Sequence, residues 1–174
     1  LILGVKMCGR FVLSNFTDVK DFHNILIEPS YNIAPSHSTL IFNQEMRPDF
    51  IEWGYSPIWA KKPMNLINAK YESLDIKPSF KDYETCVFVA DGWFEWKKNS
   101  RGEKHPIFIH ADNEIFYFAG IKNASGAAIV TIDAHPSLAN INHRQPMFLD
   151  RLEISHWLIN RQRISSSNLL ENIK

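Results

Sequence analysis

Thr85-Cys86-Val87-Phe88-Val89-Ala90-Asp91-Gly92-Trp93-Phe94-Glu95-Trp96-Lys97-Lys98 decides how this chain folds. Its first six residues form a near-continuous apolar run, the pattern of a buried strand. Asp91-Gly92 then turns the chain. From Trp93 onward the residues alternate: Trp93, Glu95 and Lys97 share one face, Phe94 and Trp96 the other. Asn99-Ser100-Arg101-Gly102 reads as a hairpin turn leading into a strand at Pro106 to His110.

Working outward, Arg10 to Leu13, Thr39 to Phe42, Phe50 to Trp53, Ile115 to Ala119, Ala127 to Ile132 and Met147 to Leu149 read as further strands. Tyr31 to Ser36 reads as a loop, because Pro35 disfavours helix at Ala34. Ser56 to Pro63 is a proline-bounded loop carrying Trp59. Asn15 to Leu26 is expected to be helical, with Thr17 as cap and Phe22, Ile25 and Leu26 as an apolar stripe. Pro136 to Ile141 suits one or two helical turns. Asp150 opens a last helix with a capping-box pattern to Glu153. The expected class is α+β, a mainly antiparallel sheet with a few flanking helices.

Composition narrows the function. With 174 residues, one compact domain is expected. Nineteen basic residues balance nineteen acidic ones, so nucleic-acid binding needs a local basic surface rather than net charge. The two cysteines, Cys8 and Cys86, lie far apart with no CxxC spacing. That disfavours a zinc site or a disulfide scaffold and fits a reducing cytoplasm. Neither metal nor cofactor is expected. No apolar run approaches the length of about 20 residues that spans a bilayer, and Leu1 to Val5 is too short for a signal-peptide core.

Four residues stand out chemically. Cys86, inside an apolar run, reads as a small buried hydrophobe, whereas Cys8 follows a methionine in Met7-Cys8-Gly9-Arg10-Phe11. If translation begins at Met7 and that methionine is removed, Cys8 carries a thiol and a free α-amine on adjacent carbons. Such a pair traps an aldehyde as a five-membered thiazolidine. Arg10, two residues on, is expected to lower the thiol pKa. Asn68 is either a satisfied turn amide or a fixed donor–acceptor beside a nucleophile. Glu95, among three aromatics, is either buried with a raised pKa suited to proton transfer or exposed and paired with Lys97 or Lys98. His143 lies beside Arg144 and before Pro146, in a rigid basic loop of the kind that carries catalytic groups.

Read together, several segments resemble the SOS response-associated peptidase (SRAP) family of abasic-site processing proteins. They are Met7 to Phe11, Tyr31-Asn32-Ile33-Ala34-Pro35, Trp53 to Ala60, Ile67-Asn68-Ala69-Lys70-Tyr71-Glu72, Lys77 to Phe80, Ala90 to Trp96 and Arg144-Gln145-Pro146, in family order. The resemblance implies a single domain over residues 7–174, built on a β-barrel-like sheet with a cleft for single-stranded DNA. Residues 1–6 are then expected to be a leader or tag-like extension. It implies that Cys8 is the nucleophile that links to the aldehyde of an abasic site, that Asn68 holds the Cys amine or the sugar, and that Glu95 handles protons. A family histidine assists sugar-ring opening and crosslink reversal; ungapped register places Asn142 there and His143 one residue later, and His143 is the expected equivalent.

Arg10, Asn32, Pro35, Trp59, Lys70 and Arg144 are the DNA-cleft residues the resemblance implies. Lys70 stands where arginine is usual. Trp59 reads either as a stacking wall for a base or as core. The implied partner is single-stranded DNA with abasic sites, bound by a monomer in a bacterial or phage cytoplasmic or nucleoid setting. Two other readings remain open at this point. One is a cysteine peptidase or autoprotease using Cys8, His143 and Asn68; the other is a noncovalent single-stranded DNA-binding module.

Overall fold

In the computed structural model, residues 8–15, 25, 27–112 and 114–163 are described here. They form an α+β domain of two sheets. The smaller sheet is β1 (Arg10–Leu13), β2 (Ser30–Ile33), β7 (Gly92–Lys98) and β8 (Lys104–His110), in the order β2-β1-β7-β8. The larger runs through β11 (Arg144–Pro146), β10 (Gly126–Asp133), β9 (Phe116–Asn123), β6 (Glu84–Ala90), β3 (Ser38–Phe42) and β4 (Pro48–Glu52) in that order. Two short strands join it from the side: β12 (Phe148–Leu149) pairs with β9, and β5 (Asn68–Lys70) pairs with β10 in parallel. The arrangement is barrel-like, but the sheets do not close into a barrel.

The central stretch explains the layering. β6 is buried from Thr85 to Ala90 and lies inside the large sheet between β3 and β9. At Asp91 the chain leaves that sheet for the small one, so β6 and β7 are not hairpin partners. The crossing is fastened by Asp91 N–H donating to Val12 O at 2.8 Å and by the Asp91 carboxylate accepting from Ser14 N and Oγ. Gly92 is needed there because any Cβ would run into the ring of Phe108.

Aromatic side chains fill the space between the sheets. Phe11 of β1 meets Trp53 edge-on at 5.1 Å and Phe88 of β6 at 6.3 Å. Trp93 of β7 packs against Phe116 and Phe118 of β9 and Phe148 of β12. Such pairs add about 0.5–1.5 kcal/mol each beyond area burial.

Two details differ from the sequence expectation, and one cannot be compared. Tyr31 to Ile33 is not loop but most of β2, paired with β1 through Phe11↔Ile33 and Leu13↔Ser30. Without it, that side of β1 would leave its backbone groups unpaired, and Pro35 only fixes where the strand gives way to a turn. Met147 is not inside a strand. It links β11, which pairs with β10, to β12, which pairs with β9; its N–H donates to Val130 O at 2.9 Å and its carbonyl accepts from Ala119 N at 2.8 Å. The helix expected from Asn15 to Leu26 falls largely outside the described residues.

The last helix, α1 (Arg151–Asn160), starts where the capping box places it: Asp150 accepts from Leu152 N and Glu153 N, and Glu153 reaches back to Asp150 N. It packs on β6, with Trp157 Nε1 donating to Cys86 O at 3.0 Å and Thr85 Oγ1 donating to Leu158 O at 2.8 Å.

Candidate active site

β7 determines the site. Its alternation turns Trp93 and Glu95 inward, leaving Glu95 only 2% exposed. It is therefore a buried carboxylate, not a surface partner of Lys97 or Lys98. Each of its oxygens has one donor: Cys8 N–H reaches Oε1 at 3.0 Å, and Asn142 Nδ2 reaches Oε2 at 3.0 Å. Burial raises the Glu95 pKa; the hydrogen bonds from Asn142 and Cys8 oppose this, and burial prevails.

Cys8 sits just before β1, which pairs with β7 through Arg10↔Phe94 and Phe11↔Trp93. That pairing brings Cys8 to Glu95 from 87 residues away. Its side chain is fully buried, and its backbone φ of +36° lies in the left-handed region, which costs a non-glycine residue about 1–2 kcal/mol. Burial, and then the Glu95 charge, push the thiol well above its ordinary pKa. This overturns the expectation that Arg10 lowers it. Arg10 Nη1 donates instead to Gly9 O at 2.6 Å, and desolvation sets the direction.

The residue that meets Glu95 from the far loop is Asn142, not His143. Leu138 N and Ala139 N donate to His135 O, and Ile141 N and Asn142 N to Leu138 O. This winding leaves Asn142 8% exposed on Glu95, while His143 is exposed to solvent. The ungapped register likewise places Asn142 at this point, one residue before His143.

Asn68 opens β5, beside Ile129 of β10. The preceding Ile67 carbonyl is held by Trp53 Nε1 at 2.9 Å, and Trp53 touches Phe11, so Asn68 is tied through the core to the strand that follows Cys8. Lys70 is exposed at the end of β5, Asn32 is exposed on β2, and Pro35 is half-buried in the turn after it. Trp59 is 61% exposed, so it is not core; its Nε1 lies 3.3 Å from Pro78 O.

Arg144 is buried and already occupied. Its guanidinium pairs with Asp133, donates to Glu72 Oε2 at 2.9 Å and donates to Thr131 O at 2.8 Å. Partial burial raises the Glu72 pKa, but the Arg144 hydrogen bond and charge hold it below the usual carboxylate range. Arg144 thus fastens β11 to β10 and to the turn after β5, and its paired donors are turned to protein acceptors rather than offered to a ligand.

Among the described residues, no three His, Cys, Asp or Glu side chains are grouped to hold a metal, and no helix is long and apolar enough to cross a membrane. Fold and site together define an α+β domain that brings a cysteine main-chain nitrogen onto a buried carboxylate. The chain belongs to the SOS response associated peptidase (SRAP) family, whose model matches residues 7–174. It is 33% identical to the abasic site processing protein YedK of Escherichia coli, over 95% of this chain and 84% of YedK. It is 32% identical to the abasic site processing protein YoqW of Bacillus subtilis, over 87% of this chain and 80% of YoqW. The crystal structure of a phage-related protein from Bordetella bronchiseptica superposes with a TM-score of 0.69 at 27% identity, covering 87% of this chain and 81% of that one.

Proposed function

We propose that this protein processes abasic sites in single-stranded DNA by forming a covalent link through Cys8, once Cys8 is the first residue. The observation that carries the reading is the 3.0 Å contact from Cys8 N to Glu95 Oε1. A carboxylate beside a main-chain nitrogen has little chemistry to do while that nitrogen is an amide. With residues 1–7 gone, the same nitrogen is an α-amine with a pKa of roughly 7.7–8.0, and Glu95 is its proton acceptor.

The steps then balance without any redox partner. Glu95 takes a proton from the α-ammonium, and the free amine attacks the aldehyde carbon of the opened sugar. Protonated Glu95 returns the proton to the carbinolamine hydroxyl, which leaves as water, giving the protonated imine. The thiol proton of Cys8 passes to the regenerated Glu95 carboxylate, the sulfur adds to the iminium carbon, and the neutral thiazolidine closes. One water is lost overall. Asn142 holds Glu95 in place, and Asn68 takes the role the family resemblance implies, support for the amine or the sugar. The thiol is held neutral by burial, which favours this amine-first order over a peptidase mechanism that starts from a resident thiolate.

The test compares protein translated from Met7 with protein beginning at Leu1, each mixed with single-stranded DNA carrying one abasic site. The Met7-start form should give a denaturation-resistant adduct with the mass of protein plus DNA minus one water, provided intact mass shows Met7 removed. The Leu1-start form and Cys8→Ala should not. No adduct from a verified Cys8-terminal protein overturns the reading.

A further inference from the structure

The small sheet turns one face to Cys8 and Glu95 and the other away from them. In the pairing register Arg10, Phe94 and Phe108 form one row across β1, β7 and β8, and Val12, Gly92 and His110 form the next. Trp93 and Glu95 are buried between the sheets, so by alternation these two rows lie on the outer face. That face is aromatic. The Phe94 and Phe108 rings sit 4.9 Å apart, and Phe108 stacks on His110 at 5.1 Å. Tyr31 stands across from them on β2, where three steps from Ser30 to Ile33 match two steps from Leu13 to Phe11 on β1. Such a bulge re-aims a side chain, and Tyr31 is left 70% exposed.

Tyr31 and the Phe94–Phe108 pair border an open hollow of about 270 Å³, which Val12 and Asp91 also line. Asp91 brings a carboxylate to it. One oxygen, Oδ2, takes Ser14 N, Ser14 Oγ and Asn15 N; the other accepts from none of the described residues. The neighbouring end of β8 is acidic too. His110-Ala111-Asp112-Asn113-Glu114 holds two acids and neither lysine nor arginine, and His110 Nδ1 lies 3.9 Å from Asp112 Oδ1. Among the described residues, no lysine or arginine lines the hollow. Arg10, one row away, donates from its guanidinium to Gly9 O. The chain is neutral overall, so this aromatic, carboxylate-bearing hollow is a local departure from its charge balance.

We infer that this hollow is the docking site for an arginine side chain on a basic segment of a protein partner. A guanidinium is planar and lies flat against an aromatic face, and its charge is attracted by the ring quadrupole. It is also more weakly hydrated than an ammonium, so it loses less on leaving water. Charge selects the class of partner. Asp91 and the acidic end of β8 attract a cation and repel a phosphate backbone, so the hollow fits a basic protein segment and not a nucleic acid. Glu95 points to the opposite face of β7, and the docking site stands independently of the chemistry at Cys8.

The experiment titrates the full chain with the capped peptide acetyl-Gly-Gly-Arg-Gly-Gly-amide and with its lysine and citrulline counterparts, following backbone amide shifts by NMR. Lysine keeps the charge and loses the plane; citrulline keeps the plane and loses the charge. The arginine peptide should bind with shifts centred on Val12, Asp91 and Phe94, the lysine peptide severalfold more weakly, and the citrulline peptide weakest of all. Tyr31→Ala and Phe108→Ala should each weaken the arginine peptide roughly three- to tenfold, the scale of one cation–π contact. Phe50→Ala, which removes a ring 54% exposed on β4, should match the wild type. Tyr31 is so exposed that its variant keeps the test decisive if Phe108→Ala lowers the melting temperature. No binding of the arginine peptide, shifts centred elsewhere, or wild-type affinity in Tyr31→Ala overturns the site. Equal binding of the citrulline or lysine peptide overturns the guanidinium assignment. An oligothymidylate that displaces the arginine peptide from these residues overturns the choice of a protein partner.

Discussion

The backbone nitrogen of Cys8 donates to Glu95 Oε1 at 3.0 Å inside the protein. Two strands far apart in sequence create that contact, and it places the one buried carboxylate of β7 where an N-terminal amine would be. Glu95 accepts a second donor, Asn142, on its other oxygen. The carboxylate is thus fixed in direction while burial keeps its pKa raised.

Glu95→Gln is expected to trade reactivity for stability. General acid–base catalysis contributes about 10²–10⁴-fold, so adduct formation with abasic single-stranded DNA should slow by at least about 10²-fold in single-turnover gels. The stability sign follows from the raised pKa. Between the unfolded and folded pKa values the folded state binds more protons, so Glu95 costs stability as pH rises through that window, and the cost persists above it. The Gln variant should therefore melt above the wild type at neutral pH, and the difference should shrink as pH falls below the unfolded carboxylate pKa. Equal melting temperatures at every pH would contradict the burial argument.

Asn142 and His143 should separate cleanly. Asn142→Ala removes a donor that favours ionised Glu95, so the acid limb of the adduct-formation rate, where the carboxylate must be deprotonated, should move to higher pH. His143 touches no Glu95 oxygen, so His143→Ala should leave that limb in place. A pH profile displaced by His143→Ala and not by Asn142→Ala would put the histidine back beside Glu95.

Much of this site was legible from residue order. The alternation Trp93-Phe94-Glu95-Trp96 put Glu95 on the face of Trp93, and β7 bears that face inward. The Asp150–Glu153 capping box is also where the sequence puts it, because its hydrogen bonds are local. What escaped was set at long range. Tyr31 to Ile33 became a strand only because β1 needed a partner. The Asn142-or-His143 choice depended on how the loop from His135 winds, and a run of mixed residues does not announce its winding. Arg144 looked like a ligand for phosphate because its partner Glu72 lies 72 residues away.

Arg144 gives the last prediction. Its guanidinium is 4% exposed, whereas Glu72 and Asp133 are 54% and 93% exposed. Removing an arginine from a fully buried pair strands a charge and costs about 3–5 kcal/mol; here the stranded carboxylates fall back into water, so that penalty is largely absent. What remains is the lost hydrogen bond to Thr131 O, left buried, and the lost packing, together about 1–3 kcal/mol. For a chain of this size, about 2–4 °C per kcal/mol, Arg144→Ala should melt roughly 2–12 °C lower. Thr131 and its neighbours on β10 also pair with β5, so the variant should loosen the strand that bears Asn68. Faster amide exchange at β5 and β11, with β7 and β8 unchanged, is the expected pattern. Wild-type melting and exchange combined with weakened DNA binding would return Arg144 to the DNA surface.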